Sequence, residues 1–435
     1  MMNATGNKPL LRVVTPSEAR RRRVRAVDEE TLAEARVILA AIEAGGDEAA
    51  LTYARRFGDL AKGQSPLLTR AELEAARDVL PVEQRELLER TAERIRGFAL
   101  AQRAALADVS VAIAGGSGRA GHRFVPVSAA GCYAPGGRYP LPSSVLMTVV
   151  TARAAGVASV WAASPRPTAV TMAAAAIAGA DGLLAIGGVQ AIAALARGLL
   201  GVPACDMIAG PGNRWVTAAK QLVSGEVGID MLAGPSELVV LADETADAGI
   251  IAADLLAQAE HDDDAAAMLV CTSKALAADV EAELLAQLAG LATRATAERA
   301  LANGFAVVAA SEDEAIGLCD SIAPEHLEIM TRDSEGTAKR ITNAGAIFVG
   351  ARSAEVLGDY GAGPNHVLPT GGTARFRAGL SVLTFLRART WLAIDDAKSD
   401  GARGLAEDAA ALARLESLEG HARSAERRMV RAAGS

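Results

Sequence analysis

Four of the five histidines lie in the C-terminal half, each in a short polar setting: Gln258-Ala259-Glu260-His261 running into Asp262-Asp263-Asp264, Pro324-Glu325-His326-Leu327-Glu328, Gly363-Pro364-Asn365-His366, and Glu416-Ser417-Leu418-Glu419-Gly420-His421. Imidazole beside carboxylate is how a chain builds a metal site or a proton-transfer site near neutral pH. Only His122 stands apart. In a chain this rich in Ala and Leu, histidine placed so selectively points to chemistry more than to packing.

Gln258 and His261 are three apart at the end of a helical pattern that starts near Ala246, so they share a face and can direct Oε1 and a ring nitrogen to one point. The plainer reading is an amphipathic helix that finishes in a solvated acidic loop. Gly358-Asp359-Tyr360 and His421 add a carboxylate and an imidazole, which makes an N/O set of the kind Zn²⁺ accepts. The set is spread along the chain and is not a spacing motif, so the residues alone leave both readings open. Glu325-His326 follows Pro324 at the start of a strand. Neighbours on a strand point to opposite faces, so the two are expected to serve different steps and not to pair with each other. A capped, exposed helix end is the alternative.

Three Gly-rich loops offer a second kind of site. Gly131-Cys132-Tyr133-Ala134-Pro135-Gly136-Gly137-Arg138-Tyr139-Pro140 precedes Ser143-Ser144 and a helix from near Val145, which reads as a strand, a rigid loop and a Ser-capped helix N-terminus. Gly187-Gly188-Val189-Gln190 and Gly210-Pro211-Gly212-Asn213 repeat the arrangement. Any one of these could be an ordinary structural loop. Three on one sheet edge favour a nucleotide-sized ligand there. By contrast, Gly116-x-Gly118-x-x-Gly121 matches a dinucleotide fingerprint only as a string: no apolar strand precedes it and His122-Arg123-Phe124-Val125-Pro126-Val127 reads as a strand, so a hairpin turn is expected. No Walker A sequence occurs.

The elements that must position these residues are α/β. At 435 residues the chain exceeds what one core usually supports, so about two or three domains are expected. Apolar residues are 51% but aromatics only 3%, which calls for Ala-faced helices on Val/Leu/Ile strands. Helical spacing covers about 24–108, including Glu30 to Ala44 and Ala71 to Leu106. Strands at Ser159–Ala163, Gly182–Ile186 and Asp206–Ala209 alternate with helices, and a second series follows at Leu238–Ala242, Ala267–Cys271, Phe305–Ala309 and Ala346–Val349. Two such halves imply a cleft, with ligands beyond the carboxyl ends of the strands. Beyond Thr370 the periodicity weakens until a final helix, Gly404 to Arg427, that looks like an arm docking on a partner subunit.

A net charge of −8 offers no general attraction to nucleic acid or anionic lipid. The Arg20-Arg21-Arg22-Arg23 run follows a capping box, Thr15-Pro16-Ser17-Glu18, and reads as the exposed face of a first helix. Cys132, Cys205, Cys271 and Cys319 are widely separated in apolar settings and read as buried thiols of a reducing compartment. No apolar leader opens the chain, and the run Val170 to Ala180 is too short to span a bilayer, so no membrane partner and a cytoplasmic location are expected.

Taken together and in order, GCYAPGG, GGVQAIAALA, GPGNRWVTAAK, GIDMLAGPSE, DLLAQAEHD, PEHLE, GDYGAGPNHVLPT and the closing E-x-L-x-x-H resemble the histidinol dehydrogenase family, from about residue 25 to the C-terminal helix. The resemblance implies oxidation of L-histidinol to L-histidine in two NAD-dependent steps with one zinc per active site. It implies Gln258, His261, Asp359 and His421 as zinc ligands and Glu325 and His326 as the acid/base pair. Ser236, His366 and Glu416 fall on substrate positions, with Gln258, His261, His326, Asp359 and His421 also near substrate. Tyr133, Gln190 and Asn213 fall on NAD-contacting positions. It also implies a homodimer with shared active sites, in which Glu416 and His421 serve the neighbouring subunit. The expected layout is two Rossmann-like parallel-sheet domains: a segment 1–24, a zinc and substrate domain from 25–131 plus 237–376, an NAD domain 132–236, and an arm 377–435. One departure is Ser417, where the family has Gly; the ligand spacing is kept and the turn is stiffened. Relatives that oxidise another small alcohol, such as sulfopropanediol, are the near alternative. A two-lobed solute-binding protein is the remote one, disfavoured by the missing leader and by a Glu-His pair with no binding task.

Overall fold

The computed structural model describes residues 9–21, 25–136 and 140–429. Arg22 and Arg23 of the basic run and Gly137-Arg138-Tyr139 of the first Gly-rich loop lie outside the described residues. A short strand β1 (Arg12–Val13) leads into helix α1 (Pro16–Arg20), whose Thr15/Glu18 capping box forms as read from the sequence. Next come α2 (Glu29–Arg56), strand β2 (Leu67–Thr69), α3 (Arg70–Asp78) and α4 (Val82–Ala104). The helical stretch after Ala71 is therefore two helices. Pro81 separates them, because its ring cannot continue a helix interior but suits the turn before a new one.

Strand β3 (Val109–Ile113) and strand β4 (Gly118–Pro126) pair antiparallel, Ile113 opposite Gly118. A strand does precede the glycines, contrary to the sequence reading, yet the segment is the expected hairpin and no helix follows it.

The first α/β series holds β5 (Ala129–Tyr133), α5 (Pro142–Ala155), β6 (Ser159–Ala163), α6 (Ala169–Ala178), β7 (Gly182–Leu184), α7 (Gly188–Arg197), β8 (Met207–Ala209), α8 (Arg214–Val223) and β9 (Gly228–Ile229). The second holds β10 (Glu237–Ala242), α9 (Ala248–Ala259), β11 (Ala266–Cys271), α10 (Lys274–Leu288), α11 (Arg294–Leu301), β12 (Phe305–Val308), α12 (Glu312–Ile322), β13 (His326–Met330), α13 (Ser334–Ala338), β14 (Ala346–Val349) and α14 (Glu355–Asp359). The chain closes with β15 (Leu386–Ile394), α15 (Asp400–Leu415) and α16 (Glu419–Glu426). Where weak periodicity was read, a nine-residue strand runs. It is an extended strand of an antiparallel sheet with no buried residue, and so carries no helical signal. The single final helix is two, broken at Glu416-Ser417-Leu418 with Ser417 at φ +62°.

Each α/β series makes one six-stranded sheet. The first has the order β2-β7-β6-β5-β8-β9, parallel except for β2, and the second the order β1-β12-β11-β10-β13-β14, parallel throughout. Central strands β10 and β11 are buried along their whole length, as expected of a sheet covered on both faces. Leu238, Val240, Leu255, Leu269 and Leu284 pack on one side of the second sheet, and Val239, Met268, Leu318 and Ile329 on the other.

The chain forms two compact units. One comprises Met1–Ala101 with Ser128–Phe385 and contains both parallel sheets; the other comprises Gln102–Val127 with Leu386–Ser435. In the second unit β4 pairs with β15 over nine residues, and α15 and α16 pack through Ala410, Ala413 and Ala422. All four cysteines are buried free thiols. Among the described residues no helix is long and apolar enough to cross a membrane.

Candidate active site

The loops that leave the carboxyl ends of β5, β6, β7 and β8 line a 680 Å³ pocket with Tyr133, Gly136, Pro165, Arg166, Gly188, Gln190 and Asn213 on one side. Helix α2 and the turn after it supply the other, through Val37, Tyr53, Arg56, Phe57 and Asp59. The three residues picked from the Gly-rich loops thus converge on one cavity. The α2 wall escaped sequence reading because its contribution is a helix face and turn more than 70 residues away, with no local motif.

Each loop is held by a different device. Gly210 sits at φ +121°, and a Cβ there would lie 1.9 Å from the Tyr133 carbonyl oxygen, so only glycine fits. Its N–H donates to Asp230 (2.7 Å) and its carbonyl accepts from Lys220 Nζ (2.9 Å); Lys220 and Asp230 also pair with each other, both buried. Asn213 accepts from the N–H groups of Trp215 and Val216 and so caps α8, leaving its Nδ2 free of that task. The Ser cap expected for α5 is not found. The helix begins earlier, at Pro142, whose fixed φ suits the first helical position, and Leu141 precedes it without a side-chain cap. Ser144 is instead buried in the first turn, and its hydroxyl lies 3.3 Å from His366 Nε2.

The histidine and carboxylate residues gather elsewhere. Ser236 precedes β10, Glu325 precedes β13, His326 is its first residue, and α9 ends just before His261; β10 and β13 run parallel with Leu238 beside His326. These are the amino ends of the second sheet's strands, not the carboxyl ends expected from the fold class. The shift has a simple cause: α9 runs antiparallel to the strands, so its C-terminal Gln258 and the following His261 must emerge at that edge.

Within this edge, His261 Nε2 lies 3.5 Å from Asp359 Oδ2 and 3.9 Å from Glu355 Oε1. Ligand atoms of His261, Glu355 and Asp359 all fall within 4.8 Å of one another, a grouping that can hold a metal ion. Gln258 is fully buried; its Oε1 is 3.5 Å from Ser236 Oγ, and its Nε2 has no hydrogen-bond partner among the described residues. Glu355 was not picked from the sequence. Its only signal there was a carboxylate four residues before Asp359, one turn away on the same helix.

His326 is buried, with Nδ1 3.2 Å from Glu355 Oε1 and Nε2 3.8 Å from Asp359 Oδ1. Burial pushes its pKa down to about 4, so the ring is neutral near pH 7. Glu325 is also buried; its Oε2 accepts from Ser236 Oγ (2.7 Å) and the Glu237 N–H (2.9 Å), yet burial outweighs both and pushes its pKa up to about 8. Glu325 and His326 do not face opposite ways: Oε2 and Nδ1 are 3.8 Å apart. Glu325 lies in a bend just before the strand, where strict alternation does not yet apply. His366 Nδ1 is 2.9 Å from the Asp359 carbonyl oxygen, which can only accept, so Nδ1 carries the hydrogen and Nε2 accepts from Ser144. A 220 Å³ cavity is bounded by His326, Phe348, Asp359 and His366.

The first unit therefore brings together Ser236, Gln258, His261, Glu325, His326, Asp359 and His366. Glu416 and His421 belong to the second unit, where both are exposed around the α15–α16 break. Ser417 adopts the left-handed conformation that glycine holds more easily at such a break.

A 680 Å³ pocket at one sheet's carboxyl edge, and a buried imidazole and carboxylate set at another's amino edge, mark an α/β enzyme. The histidinol dehydrogenase family model matches residues 21–429. A histidinol dehydrogenase of Aromatoleum aromaticum is 44% identical over 399 residues, covering 90% of each chain. A sulfopropanediol 3-dehydrogenase of Ruegeria pomeroyi is 41% identical, covering 91% of this chain and 92% of its own. The crystal structure of histidinol dehydrogenase from Elizabethkingia anophelis superposes with a TM-score of 0.90 at 29% identity, covering 97% of this chain and 99% of that one. The chain belongs to the histidinol dehydrogenase family, and as a dehydrogenase it implies NAD and a metal.

Proposed function

We propose that this chain oxidises L-histidinol to L-histidine in two successive hydride transfers to NAD, with the intermediate aldehyde kept in the site. The observation that carries the reading is the buried Glu325-His326 pair beside the His261–Asp359 grouping, in a chain of this family. The donor set fits Zn²⁺: the His261 imidazole lies with the Glu355 and Asp359 carboxylates, ligand atoms within 4.8 Å of one another, and no cysteine belongs to this grouping among the described residues. Gln258, His261 and Asp359 would hold the ion, with the partner subunit's His421 as fourth ligand and the partner subunit's Glu416 on the substrate. When bound, zinc supplies an anchor for the amino alcohol's nitrogens and NAD the hydride acceptor.

The protein's own residues handle the protons. His326, neutral and lining the cavity, takes the hydroxyl proton as the carbinol is oxidised. Burial raises the Glu325 pKa to about 8, so near pH 7 the group is mostly protonated; its ionised fraction, made more basic by the same burial, takes a proton from the water that adds to the aldehyde. The first proton passes from His326 to solvent, and the neutral ring then accepts the hydroxyl proton of the hydrated aldehyde in the second oxidation. Ser236 orients Glu325 and contacts substrate, and His366 closes the far wall, while Tyr133, Gln190 and Asn213 contact NAD. In this reading 132–236 is the NAD domain and 25–131 with 237–376 the zinc domain. The homodimer is supported by the arm, where Leu412, Leu415 and Leu418 are 59%, 83% and 42% exposed beside Glu416.

The test is NADH formed per L-histidinol consumed by purified protein, with and without a zinc chelator. A ratio of two that collapses on chelation is expected. Activity on sulfopropanediol with none on histidinol would keep the site and overturn the substrate.

A further inference from the structure

Asp59 stands in the turn after α2 and is buried. Its Oδ2 accepts two hydrogen bonds, from the Gly187 N–H and from Gln190 Nε2, each 2.9 Å. A side-chain amide's direction is usually assigned from its surroundings, but here the partner decides it. A carboxylate only accepts, so Nε2 must face Asp59 and Oε1 must face away. That Oε1 is buried and has no hydrogen-bond partner among the described residues. Gly188, which lines the pocket with Gln190 and Asp59, brings no side chain against it; a Cβ there would sit 3.2 Å from Oε1. A buried acceptor left unpaired is costly, and a ligand that brings a donor removes the cost.

The pocket's lining includes none of Glu325, His326, His366 or Asp359. It therefore takes the half of a dinucleotide remote from the reacting ring. Phe57, 48% exposed and stacked on Tyr53 at 6.0 Å, offers the same wall a flat face suited to a purine. We infer that Asp59 is a positioning residue that locks Gln190 Oε1 as an obligatory acceptor for a hydrogen-bond donor on the adenosine half, either the adenine 6-amino group or a ribose hydroxyl. The inference rests on the reading of this pocket as the NAD site.

The test compares kcat and KM for NAD, its hypoxanthine analogue and its 2′-deoxyadenosine and 3′-deoxyadenosine analogues. The hypoxanthine analogue has an acceptor in place of the 6-amino donor; each deoxy analogue lacks one hydroxyl. In the unaltered protein one of them should lose about ten- to a hundredfold in kcat/KM, mostly through KM, and which one identifies the donor. Asp59→Asn offers Gln190 a donor as well as an acceptor, so the amide can turn; discrimination against that analogue should shrink to within about threefold, while NAD itself weakens. Gln190→Met, which leaves the Asp59–Gly187 bond in place, should erase the same discrimination and serves if Asp59→Asn misfolds. Equal use of all the analogues by the unaltered protein, or discrimination that survives both variants, overturns the inference. Failure of the unaltered protein to reduce NAD at all overturns the pocket reading itself, and the inference with it.

Discussion

In the first parallel sheet the ligand-facing loops leave the carboxyl ends of β5, β6, β7 and β8 and run into the N-termini of α5, α6, α7 and α8. In the second, Ser236, Glu325, His326 and the end of α9 lie at the amino ends of the strands, where a helix C-terminus arrives. The same β-α alternation thus exposes opposite electrostatic faces. Helix N-termini present free N–H groups and suit an anionic dinucleotide; a helix C-terminus presents free carbonyls and suits a cation. The supports differ in kind as well. The first edge rests on a buried pair of opposite charges, Lys220 and Asp230. The second rests on carboxyls packed together, Asp254, Glu328 and Glu355, whose pKa values burial raises.

The sharpest way to break this comparison is His326→Asn. Turnover should fall by about two to four orders of magnitude with NAD affinity and bound metal retained, measured by steady-state kinetics and metal analysis. Loss of metal in that variant would move His326 into the metal's ligand set. His261→Asn should act through the ion: metal no longer copurifies in stoichiometric amount, and activity falls with it. Stoichiometric metal with lost activity would remove His261 from the ligands. On the first edge, Lys220→Met should leave Asp230 buried without its partner and cost about 3–5 kcal/mol of stability, read by denaturant unfolding. A loss under about 1 kcal/mol would mean the Gly210 loop does not depend on the pair.

The smallest effect concerns pH. Burial raises the Glu328 pKa to about 8 in the folded chain, above its unfolded value near 4.3. Its stabilising contribution is therefore complete below about pH 4 and is lost as pH rises towards 8, because the unfolded chain releases the proton first. Glu328→Gln cannot ionise, so its melting temperature relative to the unaltered protein should rise between pH 5 and pH 8. A difference independent of pH would show that Glu328 is ionised in the fold.

Much of this was legible beforehand. The two β-α series, the hairpin around Gly116, the three loops with Tyr133, Gln190 and Asn213, and the Glu325-His326 pair all carry local signals: period, turn residues, or adjacency. Asp59 carried none, and Glu355 only its place one turn before Asp359. Each acts through a neighbour distant in sequence, Gln190 in one case and His326 in the other, and nothing in their own surroundings marks that. Strand β15 was missed for a related reason, since none of its residues is buried and no regular apolar period marks it until β4 is set beside it.

The sequence by itself determined the elements, the residue types available for chemistry and the family, because periodicity, glycine placement and ordered motifs are properties of the chain. Only the tertiary structure decided which edge of each sheet is used, which carboxylates are buried together and which way Gln190 presents its amide. Those depend on strand direction, dielectric surroundings and a partner 131 residues away, and none of the three is local.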